Sequence, residues 1–320
     1  MKRWLLAAVV ALLPPLFTFH AQAQSWPQRL VKFILSLGPG SGADITGRML
    51  ADRLGKQWGQ PVVVENRPGA DAVLAINAVI AAKDDHTLLY GPSGSFVGHP
   101  FTLDRVPYDR NELLPVARVS NTVVVLAAPA SLKAQSLKEV MQMVKEEPGK
   151  LNYASVTQVY DIMMAAYLKG AGLDMARVTY KDAVSAQNDL VEGRIQLYSA
   201  AYAIVRGHVQ GGRMRLLAVQ NRTRAPGLDL PTAAEAGFPQ LTLDGLVGLM
   251  AARSSGIGDA VRERIAADVK AQLNDPVLNE RMTATGQIVN PGSPAEFAAA
   301  IDEQSKNLAT WSKAIGGKLK

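Results

Sequence analysis

The fold is decided by residues 30–67, LVKFILSLGPGSGADITGRMLADRLGKQWGQPVVVENR. The apolar run Lys32–Leu37 predicts a strand, residues 38–42 a tight glycine loop, Asp44–Gly55 a helix, and Pro61–Glu65 a second strand. A glycine loop between a strand and a helix leaves the first N–H groups of the helix exposed and pointing in one direction, and such an arrangement favours a bound anion. The sequence therefore predicts a small anionic ligand, which is either a cofactor or a cargo.

The alternation of strands and helices continues along the chain. Short β-branched runs are followed by longer helical patterns, which is typical of α/β domains with parallel sheets. Extended stretches at Val119–Ala128 and Leu241–Ala251 can join two domains. We therefore predict two lobes, each with a mainly parallel sheet flanked by helices and joined by a two-strand hinge. Lobe 1 comprises residues 24–122 and 243–320, ending in a purely helical region, and lobe 2 comprises residues 123–242.

The N-terminus has the pattern of a secretory signal peptide. Lys2 and Arg3 precede an apolar stretch, and Ala21-Gln22-Ala23 is a small-x-small cleavage site. We predict that residues 1–23 are cleaved and that the mature chain is exported, which gives a periplasmic location.

Composition excludes several kinds of site. The chain contains no Cys, which rules out disulfides and cysteine metal sites, and its histidines lack zinc-ligand spacing. The net charge is +6, but no run of five like charges occurs, so we expect no nucleic-acid binding. We predict no metal ion and no cofactor.

A local glycine pattern offers an enzymatic alternative. Gly38, Gly40 and Ala43 fit G-x-G-x-x-A after a strand, and Glu65 ends the next strand, where an acid that binds a ribose would lie. Export argues against an NAD-dependent enzyme, because soluble nicotinamide cofactors are mainly intracellular. A serine hydrolase is also disfavoured, because residues 91–95 lack the last glycine of a nucleophile elbow. We therefore predict no catalytic residues.

Several segments together resemble the Bug-type (tripartite tricarboxylate transporter, TctC) periplasmic solute-binding proteins. In order, they are PVVVENRPGA (61–70), VPYD (106–109), PGKLNYAS (148–155), YK (180–181), RLLAV (215–219) and LPTAAEAG (230–237). Each motif alone is weak evidence for the family, but their shared order and their distribution over nearly the whole mature chain make the resemblance specific. The resemblance implies a type II-like, two-lobed binding protein that closes on a small carboxylate and presents it to membrane permease subunits. We expect a monomer; the alternative is a ligand-sensing partner of a signalling system with no transport role.

The resemblance places the ligand among polar loops at strand ends. We name these loop 1 (36–44), loop 2 (91–96), loop 3 (155–161), loop 4 (180–183) and loop 5 (198–200). The candidate ligand-binding residues are Leu37, Pro39, Gly40, Ser41 and Gly42 in loop 1; Ser93, Gly94, Ser95 and Phe96 in loop 2; Ser155, Thr157 and Gln158 in loop 3; Tyr180, Asp182 and Ala183 in loop 4; and Ser199 in loop 5.

These loops also depart from the family pattern. Loop 3 lacks the usual glycines and His, and its Tyr160 and Asp161 are expected to narrow the site or to favour an amino group. Asp71-Ala72-Val73 replace Gly-Gly-Asn, while Asp44 and Asp182 have the spacing of helix N-caps. We therefore expect a retained fold and a small organic anion other than the family's usual ligand, with amino acids and aromatic acids among the candidates.

Overall fold

The computed structural model describes residues 26–180 and 182–318, so the predicted signal peptide lies outside the described residues. The strands are β1 Val31–Leu35, β2 Val62–Asn66, β3 Thr87–Pro92, β4 Leu113–Thr122, β5 Val124–Pro129, β6 Asn152–Ser155, β7 Ala176–Arg177, β8 Leu197–Ala201, β9 Met214–Val219, β10 Gly245–Ala252 and β11 Gln287–Gly292. The α-helices are α1 Gly42–Trp58, α2 Val73–Ala82, α3 Gly94–Thr102, α4 Leu137–Glu146, α5 Gln158–Ala171, α6 Ala183–Val191, α7 Tyr202–Gln210, α8 Asp259–Leu273, α9 Pro276–Ala284 and α10 Pro294–Ile315.

The strands form two separate sheets. The first has six strands in the order β11-β4-β10-β3-β1-β2, and the second has five in the order β7-β6-β8-β5-β9. The first sheet takes its strands from residues 31–122 and 245–292, and the second from residues 124–219. The chain thus passes from the first sheet to the second at Val123 and returns between Val219 and Gly245. This confirms the predicted α/β architecture of two sheets and supports the lobe boundaries, which stay a proposal.

Both sheets are mixed, so the prediction of mainly parallel sheets is wrong. β1 pairs in parallel with β2 and β3, but β10 runs antiparallel to β3 and β4. In the second sheet β6 is parallel to β7 and β8, whereas β5 is antiparallel to β8 and β9. Parallel neighbours need a crossover connection over the sheet. β5 and β10 instead arrive directly from the other sheet, and they run against their neighbours.

The prediction of a purely helical C-terminal region is also wrong. β11 lies within that region and pairs antiparallel with β4. Its sequence, QIVNPG, is short and contains a proline, so its strand signal is weak. Over residues 26–180 and 182–318, the helices are all too short or too polar to traverse a bilayer.

Helix α5 lies at the boundary between the two sheets. It follows β6 of the second sheet, yet Val159, Ile162 and Met163 belong to one buried cluster with Phe297 and Leu308 of α10. The two halves of the molecule are therefore joined by apolar packing as well as by the chain crossings.

Candidate functional site

The predicted loops lie where helices begin after strands. Loop 1 connects β1 to α1 and loop 2 connects β3 to α3 in the first sheet, while loop 3 connects β6 to α5 in the second. The segment named loop 5 is not a loop: residues 198–200 lie within β8, which leads directly into α7. β1 pairs with β3, and β6 with β8, so the loops of each sheet leave from neighbouring strand ends. Ligands of α/β sheets bind beyond the carboxyl ends of strands, where the first N–H groups of each helix have no intrahelical acceptor.

Loop 1 is held in place by Asp44. This buried carboxylate accepts hydrogen bonds from Gly40 N at 3.0 Å, Asn66 Nδ2 at 2.8 Å and Arg48 Nε at 3.1 Å. Burial opposes its ionisation, but these bonds outweigh that effect and lower the pKa of Asp44. The N-cap of α1 is Ser41, whose Oγ accepts from Asp44 N, so the prediction that Asp44 is the cap is wrong. Leu37 is partly buried and Pro39 is exposed.

Gly42 marks a close approach between the two halves of the chain. A Cβ at this position would lie 2.9 Å from Thr285 O and 3.9 Å from the Cβ of Ala203, which is in α7 of the second half. Protein packing therefore accounts for the glycine at position 42. Glu65, the residue that would bind a ribose, instead pairs with Arg67 at 2.6 Å.

The serine hydroxyls of loop 2 donate to partners inside the protein. Ser93 is fully buried, and its Oγ donates to Gln304 Oε1 at 3.0 Å. Ser95 Oγ donates to Asp71 Oδ1 at 2.8 Å. Phe96 is buried in the apolar core. The groups that loop 2 leaves for an anion are consequently the backbone N–H groups of Gly94 and Ser95 in the first turn of α3.

Asp71 lies in a strained turn beside loop 2. Three consecutive non-glycine residues, Ala70, Asp71 and Ala72, have φ of 46°, 48° and 73°, in the left-handed region that favours glycine. Asp71 O receives a hydrogen bond from His99 Nε2 at 2.7 Å. Burial opposes ionisation of this carboxyl, but the bonds from His99 and Ser95 lower the pKa of Asp71. Strain of this kind is concentrated at functional sites.

Loop 3 combines burial with unpaired oxygens. Asp161 is 4% exposed, and its Oδ2 lies 3.4 Å from Arg177 Nη1. Asp161 Oδ1, Ser155 Oγ and Thr157 Oγ1 are buried and accept or donate no hydrogen bond of good geometry. Burial raises the pKa of Asp161 to about 6, against the opposing effects of Ser155 and Arg177. Gln158 is exposed at the start of α5.

The residues of loops 4 and 5 have internal partners. Asp182 caps α6 by accepting from Ser185 N at 2.8 Å, which is the structural role foreseen for it. Tyr180 donates to Asp189 at 2.7 Å, and Ala183 is the first residue of α6. Ser199 Oγ donates to Gln220 Oε1 at 2.7 Å and is buried.

The structure brings loops from the two sheets together at two points. Gly42 of loop 1 approaches Ala203 at the start of α7. A Cβ on Gly94 of loop 2 would lie 3.4 Å from Val159 in the first turn of α5. Loops 1, 2, 3 and 5 therefore border the same boundary, which we call the cleft. The sequence analysis did not identify two residues that hold these loops, Asn66 and Gln304. Their hydrogen-bond partners, Asp44 and Ser93, lie far from them in the sequence, so no local pattern indicates either contact.

Two other features lie largely outside these loops, although Phe96 of loop 2 lines the first of them. A cavity of 630 Å³ in the first half is lined by Tyr108, Arg110, Arg253 and ten further residues besides Phe96. Asp84, Asp85 and His86 bring potential metal-ligating atoms within 4.8 Å of one another. In that cluster His86 Nδ1 is bonded to Asp85 and His86 Nε2 accepts from Gln28 N, so the ring nitrogens are already in use.

Two α/β sheets whose strand-end loops meet at one boundary form the architecture of the two-domain periplasmic binding proteins. A solved structure described as a periplasmic transporter has a TM-score of 0.79 and 28% identity, and covers 92% of this chain and 100% of its own. Rpa4515 of R. palustris, solved with adipate, has a TM-score of 0.80 at 24% identity, covering 92% and 99%.

Sequence comparison gives the family. The model described as "Tripartite tricarboxylate transporter family receptor" matches residues 46–316. A UPF0065 protein of Bordetella bronchiseptica is 30% identical over 305 residues, which is 93% of this chain and 90% of the relative. The chain belongs to the tripartite tricarboxylate transporter receptor family, a family of solute-binding proteins, and the resemblance inferred from its motifs is confirmed.

Proposed function

We propose that the mature chain is a periplasmic solute-binding protein that captures a small carboxylate in the cleft by hinge closure and presents it to a membrane permease. The observation that carries this proposal is the arrangement of α1, α3, α5 and α7. All four helices begin at strand ends that border the cleft, two from each sheet. Their first-turn N–H groups and their dipoles favour an anion bound between them.

The comparisons support a carboxylate as the ligand class. The neighbour Rpa4515 was solved with adipate, a molecule with two carboxylates. Backbone N–H groups suit such a ligand because they stabilise its negative charge by hydrogen bonding and need no buried cation that would be unpaired when the ligand leaves. The secretory pattern at residues 1–23 supports export, and family membership supports a permease partner and no catalytic role.

The chain path supports closure. The two halves are connected by two crossings, and they touch through contacts at the rim such as Arg206 Nη1 to Ala284 O at 2.8 Å. A ligand that contacts both α1 and α5 would be bound more tightly when the halves approach. It would therefore shift the population towards the closed form.

Thermal unfolding of residues 24–320 with a panel of small carboxylates, amino acids, aromatic acids and NAD tests this proposal. Binding to the native state raises the melting temperature by an amount that grows with ligand concentration and affinity. We expect a shift with one class of carboxylates. A shift with NAD alone would favour an enzyme instead, and no shift with any compound would contradict capture of a small anion.

The partner is tested separately. The ligand-loaded protein should drive uptake of that ligand into vesicles that contain the permease subunits of the same transport system. Binding without uptake would favour the sensor alternative.

A further inference from the structure

The turn between β2 and α2 holds a carboxylate in an unusual backbone conformation. Ala70, Asp71 and Ala72 all have φ in the left-handed region, which non-glycine residues seldom adopt and then mostly singly. Such strain persists only where the surrounding structure fixes it, and it is concentrated at functional sites. The placement of Asp71 therefore calls for an explanation beyond a connection between two elements.

His99 and Ser95 fix Asp71 in place. The ring of His99 is fully buried, and its Nε2 donates to Asp71 O at 2.7 Å, because a carbonyl oxygen can only accept. In the neutral ring Nδ1 then accepts from the Tyr108 hydroxyl at 2.6 Å. The carboxylate of Asp71 accepts from Ser95 Oγ at 2.8 Å. The backbone and the side chain of Asp71 are thus both held by hydrogen bonds.

Asp71 lies at the strand ends that carry loops 1 and 2. β1 is the parallel neighbour of both β2 and β3, so the carboxyl ends of all three strands lie at one edge of the first sheet, and the strained turn follows β2. Ser95 is in the first turn of α3, next to Gly94, whose Cβ would lie 3.4 Å from Val159 of the other half. The Asp71 side chain is 35% exposed. Its carboxylate is therefore accessible beside the part of loop 2 that borders the cleft.

The charge of Asp71 is not balanced by a Lys or Arg. Over residues 26–180 and 182–318, its ion-pair partner is the ring of His99, at 3.6 Å from Oδ2, and that ring directs its Nε2 hydrogen to the backbone carbonyl. Asp44 of loop 1 differs, because Arg48 pairs with it at 3.0 Å. Burial opposes ionisation of Asp71, but the bonds from His99 and Ser95 lower its pKa, so it is ionised at neutral pH. Loop 2 therefore has a fixed negative charge beside the N-terminus of α3.

A ligand carboxylate bound by loop 2 would lie next to this charge. Its donors would be the N–H groups of Gly94 and Ser95, and only Ser95 itself would separate it from Asp71. Like charges this close repel each other, whereas an uncharged group at the same place is not repelled. The favourable field of the α3 N-terminus already acts on the carboxylate of Asp71. A second anion gains correspondingly less there.

We propose that Asp71 is a specificity-determining residue that excludes a second carboxylate, so that the ligand is a monocarboxylate with an uncharged remainder rather than a dicarboxylate. The single carboxylate then binds at the other helix starts that border the cleft, and the uncharged end of the ligand lies towards loop 2. The inference rests on the proposed function, since the cleft must first bind a carboxylate.

Matched ligand pairs test this role. Isothermal titration of residues 24–320 compares butyrate with succinate, hexanoate with adipate, and benzoate with terephthalate, so that the members of each pair differ by one carboxylate. We expect the monocarboxylate of the best-binding pair to bind at least about tenfold more tightly, because it avoids the repulsion. Asp71→Asn keeps the shape and suits a positive φ, and it should reduce the preference to about threefold or less by strengthening dicarboxylate binding. Asp229→Asn, a change at an exposed carboxylate of the other half, should keep the preference.

The outcomes separate the two proposals. If dicarboxylates bind the parent as tightly as monocarboxylates do, or if Asp71→Asn changes both affinities equally, the role of Asp71 is overturned while carboxylate capture stands. An equal change is what a merely structural role predicts. Asp71→Gly, which also suits the left-handed region, should restore dicarboxylate binding in the same way and covers the case in which Asp71→Asn does not fold. If neither member of any pair binds, both proposals fail.

Discussion

Replacing Asp161 by Asn should make the folded protein more stable at neutral pH. The carboxyl is 4% exposed, and burial raises its pKa from 3.8 to about 6. A difference of about two pKa units corresponds to about 3 kcal/mol of cost for keeping the group ionised in the folded state at pH 7. The raised pKa already includes the stabilising effect of Arg177. Asn keeps the shape and cannot ionise, but its amide is also costly to bury, so we expect a net gain of about 1–2 kcal/mol in the free energy of unfolding.

The sign of the pH dependence follows from the raised pKa. Below about pH 4 the carboxyl is protonated in both the folded and the unfolded chain, so its ionisation does not lower the free energy of unfolding. The cost develops between about pH 4 and pH 6 and is complete above that range. The advantage of Asp161→Asn should therefore be full at pH 7.5 and should shrink by more than half at pH 4.5.

Urea unfolding followed by tryptophan fluorescence measures this difference. Parent, Asp161→Asn and the exposed control Asp229→Asn are compared at both pH values, in ligand-free buffer. The control should match the parent at each pH. If Asp161→Asn is less stable than the parent by a similar amount at pH 7.5 and pH 4.5, then Asp161 is a stabilising ion-pair partner and the reasoning is refuted.

Two further predictions concern the backbone. Ala72→Gly should raise the free energy of unfolding by about 0.5–1 kcal/mol, because the φ of 73° at this position suits glycine. The control Ala75→Gly, inside α2, should lower the free energy of unfolding by at least as much, and chemical denaturation measures both changes. Gly42→Ala should destabilise by about 1–3 kcal/mol and weaken carboxylate binding, because its Cβ would press on Thr285 O at 2.9 Å. Gly207→Ala in α7, where a Cβ meets nothing within 4 Å, is the matched control, and an equal effect of both changes on titrated affinity would disprove the role of loop 1 packing.

The order of elements around loop 1 was predictable because each signal is local. A β-branched run, glycines and an amphipathic stretch suffice to indicate β1, the loop and α1. α3 escaped prediction, since its sequence GSFVGHPFT contains two glycines and a proline and has the composition of a loop. Its helical state depends on tertiary packing of Phe96 and Val97 in the core that it shares with α5.

The positions of loops 1, 2 and 3 at strand ends were predictable, but their hydrogen bonds were not, and their role in ligand binding stays a prediction. A strand followed by a glycine- or serine-rich segment and a helix indicates such a loop from sequence alone. The hydroxyls of Ser93 and Ser95 had the right type to donate to a carboxylate, yet their partners are Gln304, which is 211 residues away, and Asp71, which occupies a strained turn. No local pattern reveals which donors a folded chain has already used. For the same reason the burial of Asp161 and its ion pair with Arg177 become evident only in three dimensions.

Ligand-dependent closure is measured most directly as a distance across the cleft. The chain has no cysteine, so Val63→Cys in β2 and Val184→Cys in α6, both at exposed positions in different halves, can be spin-labelled selectively. Pulsed electron paramagnetic resonance then reports the distance with and without the carboxylate that binds best. The account predicts a shorter and narrower distance distribution on binding. An unchanged distribution at saturating ligand would contradict capture by closure of the two halves.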